Sequence, residues 1–253
     1  MTLISSNALF HFTDKMENIS SILKNGFYPK YSREKVKINK NKGVLDRAIP
    51  MVCFCDIPLS QVTIHTKTYG EYGIGLKKEW ALKKELNPIL YLYENSYFAR
   101  SINLIRDKVK NSNTDTDDNL GIIKEKVAEI LRNIKNYKGK NYKQDCNLSN
   151  KSVIFYNERE WRYLPPYKNK EVKFWITKKE LDANPKKIEE ENEKIIKYPL
   201  KFNPSDIRYI IVKNESDISL MIQSIKEIYK SKPKMIEVLL TRIITIKQIR
   251  EDF

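Results

Sequence analysis

Short β-branched and aromatic runs recur along this chain without the regular strand-helix alternation of a doubly wound parallel sheet, and that irregular spacing limits the fold more than any other feature. The runs fall at residues 8–13, 49–55, 74–76, 89–93, 152–164, 172–176, 208–212 and 236–240. Helical spacing marks residues 14–26, 77–86, 178–182, 216–229 and 245–251, and two amphipathic stretches within 95–136 joined by the polar segment 111–118. The expected architecture is a single mixed α+β domain over residues 1–253, with a mainly antiparallel sheet core and a helical insertion at about 95–150. With 41% hydrophobic residues in a chain of 253, such a domain can bury a sizeable core.

The opening run, Ala8-Leu9-Phe10-His11-Phe12-Thr13, places His11 and Thr13 on one face of a strand and Phe10 and Phe12 on the other. A short helix follows, with Asp14 as its expected cap, Glu17 completing a capping box, Ile19, Ile22 and Leu23 as the apolar stripe, and Gly26 at its end. The unit therefore presents His11 at a strand-helix junction.

The chain carries 47 Lys and Arg against 32 Asp and Glu, a net charge of +15, which favours anionic partners such as nucleic acid, nucleotide phosphates or an acidic protein. Along most of the chain the two signs are interleaved, as on an ordinary solvated surface. Residues 30–42 differ: Lys30, Arg33, Lys35, Lys37, Lys40 and Lys42 stand against Glu34 alone, and the segment reads as a mobile, phosphate-facing loop. No apolar run approaches the roughly 20 residues of a membrane span, so no membrane partner is expected. Residues 1–7 lack a secretory pattern and the three cysteines, Cys53, Cys55 and Cys146, are odd in number, so the expected compartment is the reducing cytoplasm.

Three segments invite chemistry. Tyr69-Gly70-Glu71-Tyr72-Gly73-Ile74-Gly75 holds three of seven glycines, but Lys78 stands where a dinucleotide fingerprint needs its third glycine. The segment reads either as a hairpin turn with surface tyrosines or as a stacking platform for a planar ring. Cys53 and Cys55, with His65 ten residues on, match no common zinc spacing and read as core cysteines, so no metal is expected. If residues 152–164 form one strand, Glu158, Glu160 and Arg162 share a face, with the carboxylates about 7 Å apart. Such a pair beside an arginine can hold ribose hydroxyls and stabilise positive charge at an anomeric carbon. An exposed strand of alternating charges has the same pattern.

Leu9-Phe10-His11-Phe12-Thr13, Asn25-Gly26-Phe27, the block from Pro50 to Ser60, the stretch from Tyr69 to Leu76, Glu158-Arg159-Glu160-Trp161-Arg162-Tyr163 and the closing run from Arg242 to Phe253 together resemble the AbiGi family of abortive-infection phage-resistance proteins. The resemblance spans nearly the whole chain. It implies a role in phage defence, on the antitoxin side of a pair in some members, with a cognate toxin or antitoxin as partner. More distantly, the order of histidine, tyrosine and glutamate resembles ADP-ribosyltransferases of the His-Tyr-Glu type, which implies that fold and NAD as substrate. On this resemblance His11 and Thr13 anchor NAD, Tyr69 and Tyr72 stack on nicotinamide, and Glu160 is the catalytic carboxylate supported by Glu158 or Arg162. The acceptor would be a host or phage macromolecule, nucleic acid or protein. The tyrosine spacing and the large insertion depart from that family's pattern. Two rival readings remain: a non-enzymatic antitoxin or regulator that binds nucleic acid or a toxin, and a nucleotide sensor that keeps the pocket without the chemistry.

Overall fold

The opening run forms β1 (Ala8–Thr13), and its alternation buries Leu9 and Phe10 in separate cores. The computed structural model describes residues 6–38, 44–112, 118–140, 152–166 and 172–252. After β1 come α1 (Met16–Asn25), β2 (Lys30–Lys37), β3 (Val44–Cys55), α2 (Val62–Tyr69), β4 (Tyr72–Lys77), α3 (Lys78–Lys83), β5 (Asn87–Pro88) and β6 (Leu90–Leu92). The insertion contributes α4 (Tyr97–Asn111), α5 (Asp118–Arg132), β7 (Ile134–Asn136) and β8 (Lys138–Lys140), and β9 (Ser152–Ile154) pairs back onto β8. The rest of the chain forms β10 (Glu160–Tyr163), β11 (Ile176–Thr177), α6 (Lys178–Ala183), α7 (Lys187–Ile195), β12 (Ile207–Val212), α8 (Ser216–Ile228), α9 (Pro233–Leu240), β13 (Ile243–Thr245) and α10 (Ile246–Asp252).

Among the described residues, nine strands build the main sheet in the order β13-β12-β4-β1-β3-β10-β5, with β2 and β11 both paired to β3. Its pairings are antiparallel except β12 with β13, so the mixed α+β class with a mostly antiparallel sheet holds. The 12-residue β3 is the hinge of the layout. Its first part pairs with β2 and β11, and its last four residues, Val52 to Cys55, pair with β10. Pro50, which has no N–H to donate, lies between the stretches of β3 that meet β11 and β10.

Helices cover the sheet on both sides. Leu9, Phe54, Ile74 and Ile210 pack with Ile19 and Leu23 of α1, Trp80 of α3 and Met221 of α8 in the largest core. Phe10, Cys55 and Ile211 meet Val62 of α2 and Ile249 of α10 in the other. The insertion closes on the end of β2 through Val36, Leu92, Ile102, Leu131 and Ile134. Gly70 (φ 105°) makes the turn into β4, where a Cβ would fall 2.2 Å from the Thr13 carbonyl oxygen. Gly73 and Gly75 serve packing instead, because a Cβ on either would lie 2.8 Å from the rings of Phe12 and Phe10 across the β1–β4 pair.

Several expectations need correction. Residues 30–37 of the basic segment are strand β2, not a mobile loop: they pair residue by residue with residues 44–51 of β3, and Tyr31 and Val36, on opposite faces of the strand, are buried in two different clusters; Lys40 and Lys42 lie outside the described residues. Residues 152–164 are not one strand: Ser152–Ile154 leads into a 3-10 turn over Phe155–Glu158, and Arg159 takes a left-handed φ of 44° before β10 begins. Residues 236–240 are helical, because Pro233 opens α9 at its first position and a five-residue apolar run has no period of its own. Of residues 172–176 only Ile176 is in a strand, and the α1 cap position is Lys15, with Asp14 bonded to Asn18. Helix α7 escaped the sequence reading because Ile188 and Ile195, seven residues apart, are too thin a stripe among Glu and Lys.

Candidate functional site

The ends of β1, β3 and β10, the β2–β3 hairpin, α2 and the insertion enclose a cavity of about 1070 Å³. Of the residues singled out by sequence, His11, Tyr69, Glu158 and Glu160 line it. His11 is held by a 2.8 Å hydrogen bond between Nδ1 and the Cys53 carbonyl oxygen, and its ring packs edge-on against Phe27 at 5.2 Å. A carbonyl only accepts, so Nδ1 carries the hydrogen in this contact.

Glu160 and Arg162 share a face of β10, as strand alternation requires, and the Arg162 Nε–H donates to Glu160 Oε1 at 2.6 Å. Glu158 reaches them from the 3-10 turn, through a residue the sequence did not advertise. Lys135 of β7 donates to Glu158 Oε2 at 2.6 Å and to Glu160 Oε2 at 2.8 Å. Tyr69 donates to Glu158 Oε1 at 2.8 Å, so each of the four carboxylate oxygens has a donor. Tyr91 accepts the Glu160 backbone N–H at 2.9 Å. The Arg162 side chain, 0% exposed, lies beneath this floor and also donates to Glu34 Oε1 at 2.6 Å and to the Arg132 carbonyl at 2.9 Å.

Burial alone would raise the Glu160 carboxyl, but Arg162 and Lys135 outweigh it and hold the group far below the usual carboxylate range. Burial would likewise lower the Lys135 ammonium, yet Glu160 and Glu158 push it well above its ordinary value. Burial, followed by the Glu158 charge, drives the Tyr69 phenol upward, and burial does the same to the Cys55 thiol. Neither is ionised near neutral pH. His65, on α2 and 7% exposed, also lines the cavity; burial lowers its imidazole pKa, and its buried Nε2 has no hydrogen-bond partner among the described residues. Around the mouth stand Arg33, Lys35, Lys37, Lys138 and Lys178, against Asp46 and Glu94. Arg33 and Asp46 are clasped together at 2.7 and 2.9 Å.

Three sequence candidates fall outside the cavity lining. Thr13 and Tyr72 pair at the far end of the β1–β4 ladder, where Thr13 accepts from Asn18 at 2.7 Å and Tyr72 donates to Asp217 at 3.1 Å. Tyr72 packs against the largest core, so the two tyrosines do not form one stacking pair. Arg162 supports the floor without lining it. Among the described residues, no group of three or more His, Cys, Asp or Glu side chains is placed to hold a metal ion, and Cys146 lies outside them. No helix among the described residues is long and apolar enough to cross a membrane.

Lys135 was missed because it is one of 47 basic residues, and the parallel pairing of β6 with β7 joins strands of only three residues each. In sequence His65 stands out only through a spacing to Cys53 and Cys55 that suits no metal; its burial beside the cavity is a fact of packing that no spacing reveals.

The fold and site define an α+β protein whose main sheet borders a cavity of about 1070 Å³ with an ion-paired floor. A family model described as "Putative abortive phage resistance protein AbiGi, antitoxin" matches residues 25–213. The abortive phage resistance protein AbiGi of Lactococcus lactis subsp. cremoris is 30% identical over 256 residues, covering 90% of this chain and 99% of that protein. The chain belongs to the AbiGi family of abortive phage-resistance proteins. No solved structure gives a significant match.

Proposed function

We propose that this protein acts in phage defence, in the cytoplasm, as the antitoxin-side member of a toxin pair, and that its cavity binds an anionic, nucleotide-class ligand such as NAD or ADP-ribose. The observation that carries the reading is the cavity itself: about 1070 Å³, with Lys35, Lys37, Lys138 and Lys178 at its mouth and aromatic side chains in its walls. That volume accommodates a dinucleotide. Lys37 and Lys138 supply point charges for phosphates beside Lys35 and Lys178, whose ammonium groups also meet Asp46 and Asp182, and Phe12, Tyr69 and Phe155 supply ring faces for a base or nicotinamide.

Calorimetric titration with NAD and with ADP-ribose tests this reading. Saturable binding that weakens with salt supports it, and no binding of either at low salt removes it.

A second reading, NAD-dependent ADP-ribosyl transfer, draws support from His11, Tyr69 and Glu160 lining one cavity although 149 positions separate His11 from Glu160. In that reaction the bond from C1′ to nicotinamide breaks, nicotinamide leaves as a neutral molecule, and a nucleophile of the acceptor, nucleic acid or protein, bonds to C1′ and gives up its proton to solvent. Glu160 would stabilise the positive charge developing at C1′. The pairing of Glu160 with both Arg162 and Lys135 weighs against it, because a carboxylate already neutralised has less charge to offer a transition state. Nicotinamide release from NAD, with and without lysate from infected cells, separates the two readings.

A further inference from the structure

Lys135 belongs to the insertion, while Glu160 and Arg162 belong to the main sheet, so the floor of the cavity is assembled from two parts of the chain. Its neighbours in sequence fix it. Ile134 is fully buried among Leu92, Ile102 and Leu131, and the Asn136 side chain clasps both the N–H and the carbonyl of Lys37 at 2.8 Å each. The register Tyr91↔Lys135 sets the side chain beside the tyrosine that accepts the Glu160 N–H. An ammonium has three hydrogens. Two meet Glu158 and Glu160, and the Phe155 ring lies 4.7 Å from the nitrogen, a favourable distance for a cation against a ring face.

We infer that Lys135 is a built-in cation that sets the charge of the ligand this cavity accepts: it closes the Glu158–Glu160 pair to cationic groups and leaves the cavity to anionic or neutral ones. The inference rests on the nucleotide-class reading of the cavity and makes it more specific. Without the ammonium, Glu158 and Glu160 would present uncompensated charge to anything entering, and a pyridinium or ammonium group would take its place. With it, the positively charged nicotinamide of oxidised NAD gains nothing there over an uncharged ring.

Oxidised and reduced NAD make suitable probes because they differ only in the nicotinamide ring, which loses its positive charge when it takes up a hydride. The wild-type chain is expected to bind the reduced form and ADP-ribose at least as tightly as the oxidised form. Lys135→Met keeps the stem and removes the charge, and should shift the preference toward the oxidised form by about tenfold or more. Lys135→Arg keeps the charge and should keep the wild-type ratio, which a merely structural role would not require. An unchanged ratio in a folded Lys135→Met protein overturns the inference while leaving nucleotide binding intact.

If no nucleotide binds either protein, the nucleotide reading fails, and a second measurement judges Lys135. Lys135→Ala leaves room for a small amine beside the carboxylates. n-Propylammonium chloride should then raise its melting temperature above that in sodium chloride of equal strength, with no such effect on wild type. Equal responses of the two proteins would overturn the inference by that route.

Discussion

The floor and the rim of the cavity use the same residue types to opposite ends. On the floor, Arg162 is 0% exposed and Lys135 17%, and each touches two carboxylates. At the rim, Lys35 is 37% exposed and its carboxylate contact, Asp46, lies 4.0 Å away. Buried charges must be paired and hydrogen-bonded to be tolerated, so the floor is rigid and specific. Exposed charges retain most of their hydration, so the rim attracts anions at long range without fixing their orientation. Net charge of +15 says little about function until it is divided in this way.

The largest difference between the two regions should appear in stability. Arg162→Met takes the guanidinium from Glu34 and leaves Glu160 with Lys135 alone, and should cost about 3–5 kcal/mol, read as a lower urea midpoint with little change in slope. Lys37→Met at the rim should leave the midpoint unmoved. If both variants unfold alike, the floor is not the buried network described here.

Glu160→Gln is expected to be milder, at about 2 kcal/mol, because Arg162 keeps Glu34 and Lys135 keeps Glu158. It also separates chemistry from binding. If the protein turns over NAD, release of nicotinamide should fall on the order of 100-fold in a folded Glu160→Gln protein while ADP-ribose still binds. Turnover that survives would remove Glu160 from the reaction.

Stability should fall in two stages as pH drops. His65 has a lowered folded-state pKa, so the unfolded chain binds more protons below its ordinary value of about 6.5, and stability declines from there. The depressed Glu160 contributes fully above the unfolded carboxylate value of about 4.3 and progressively less below it. Urea midpoints across this range should show both stages, and His65→Gln should abolish only the upper one. A His65→Gln profile identical to wild type would contradict a buried, neutral imidazole.

The rim and the floor also differ in how far they could be read from sequence. The alternation in Ala8–Thr13 and in Glu160–Tyr163 is a local property of strands, so His11 and the Glu160–Arg162 pair were legible. The basic residues of β2 were recognised as a cluster, but Tyr31 and Val36, spaced among them, were not given the weight that makes this stretch a strand. Glu158 joined the floor for a reason other than the one expected, because the left-handed Arg159 breaks the strand parity between it and Glu160. Lys135, His65 and Glu34 come from segments distant in sequence from Glu160, and only the tertiary fold brings them to one cavity. Tyr72 misled because adjacency to Tyr69 in sequence does not survive the turn at Gly70.

The smallest expected effect, and the most direct test of the central claim, is on anion binding at the rim. The full chain should be titrated with ADP-ribose at low and moderate salt, as wild type, as Lys35→Glu/Lys37→Glu, and as Lys230→Glu/Lys232→Glu, whose exposed lysines lie outside the cavity lining. The result expected is single-site binding that weakens with salt, falls severalfold or more in the rim variant and is nearly unchanged in the distant one. Absence of binding at low salt, or equal losses in the two variants, would contradict a nucleotide-class site in this cavity.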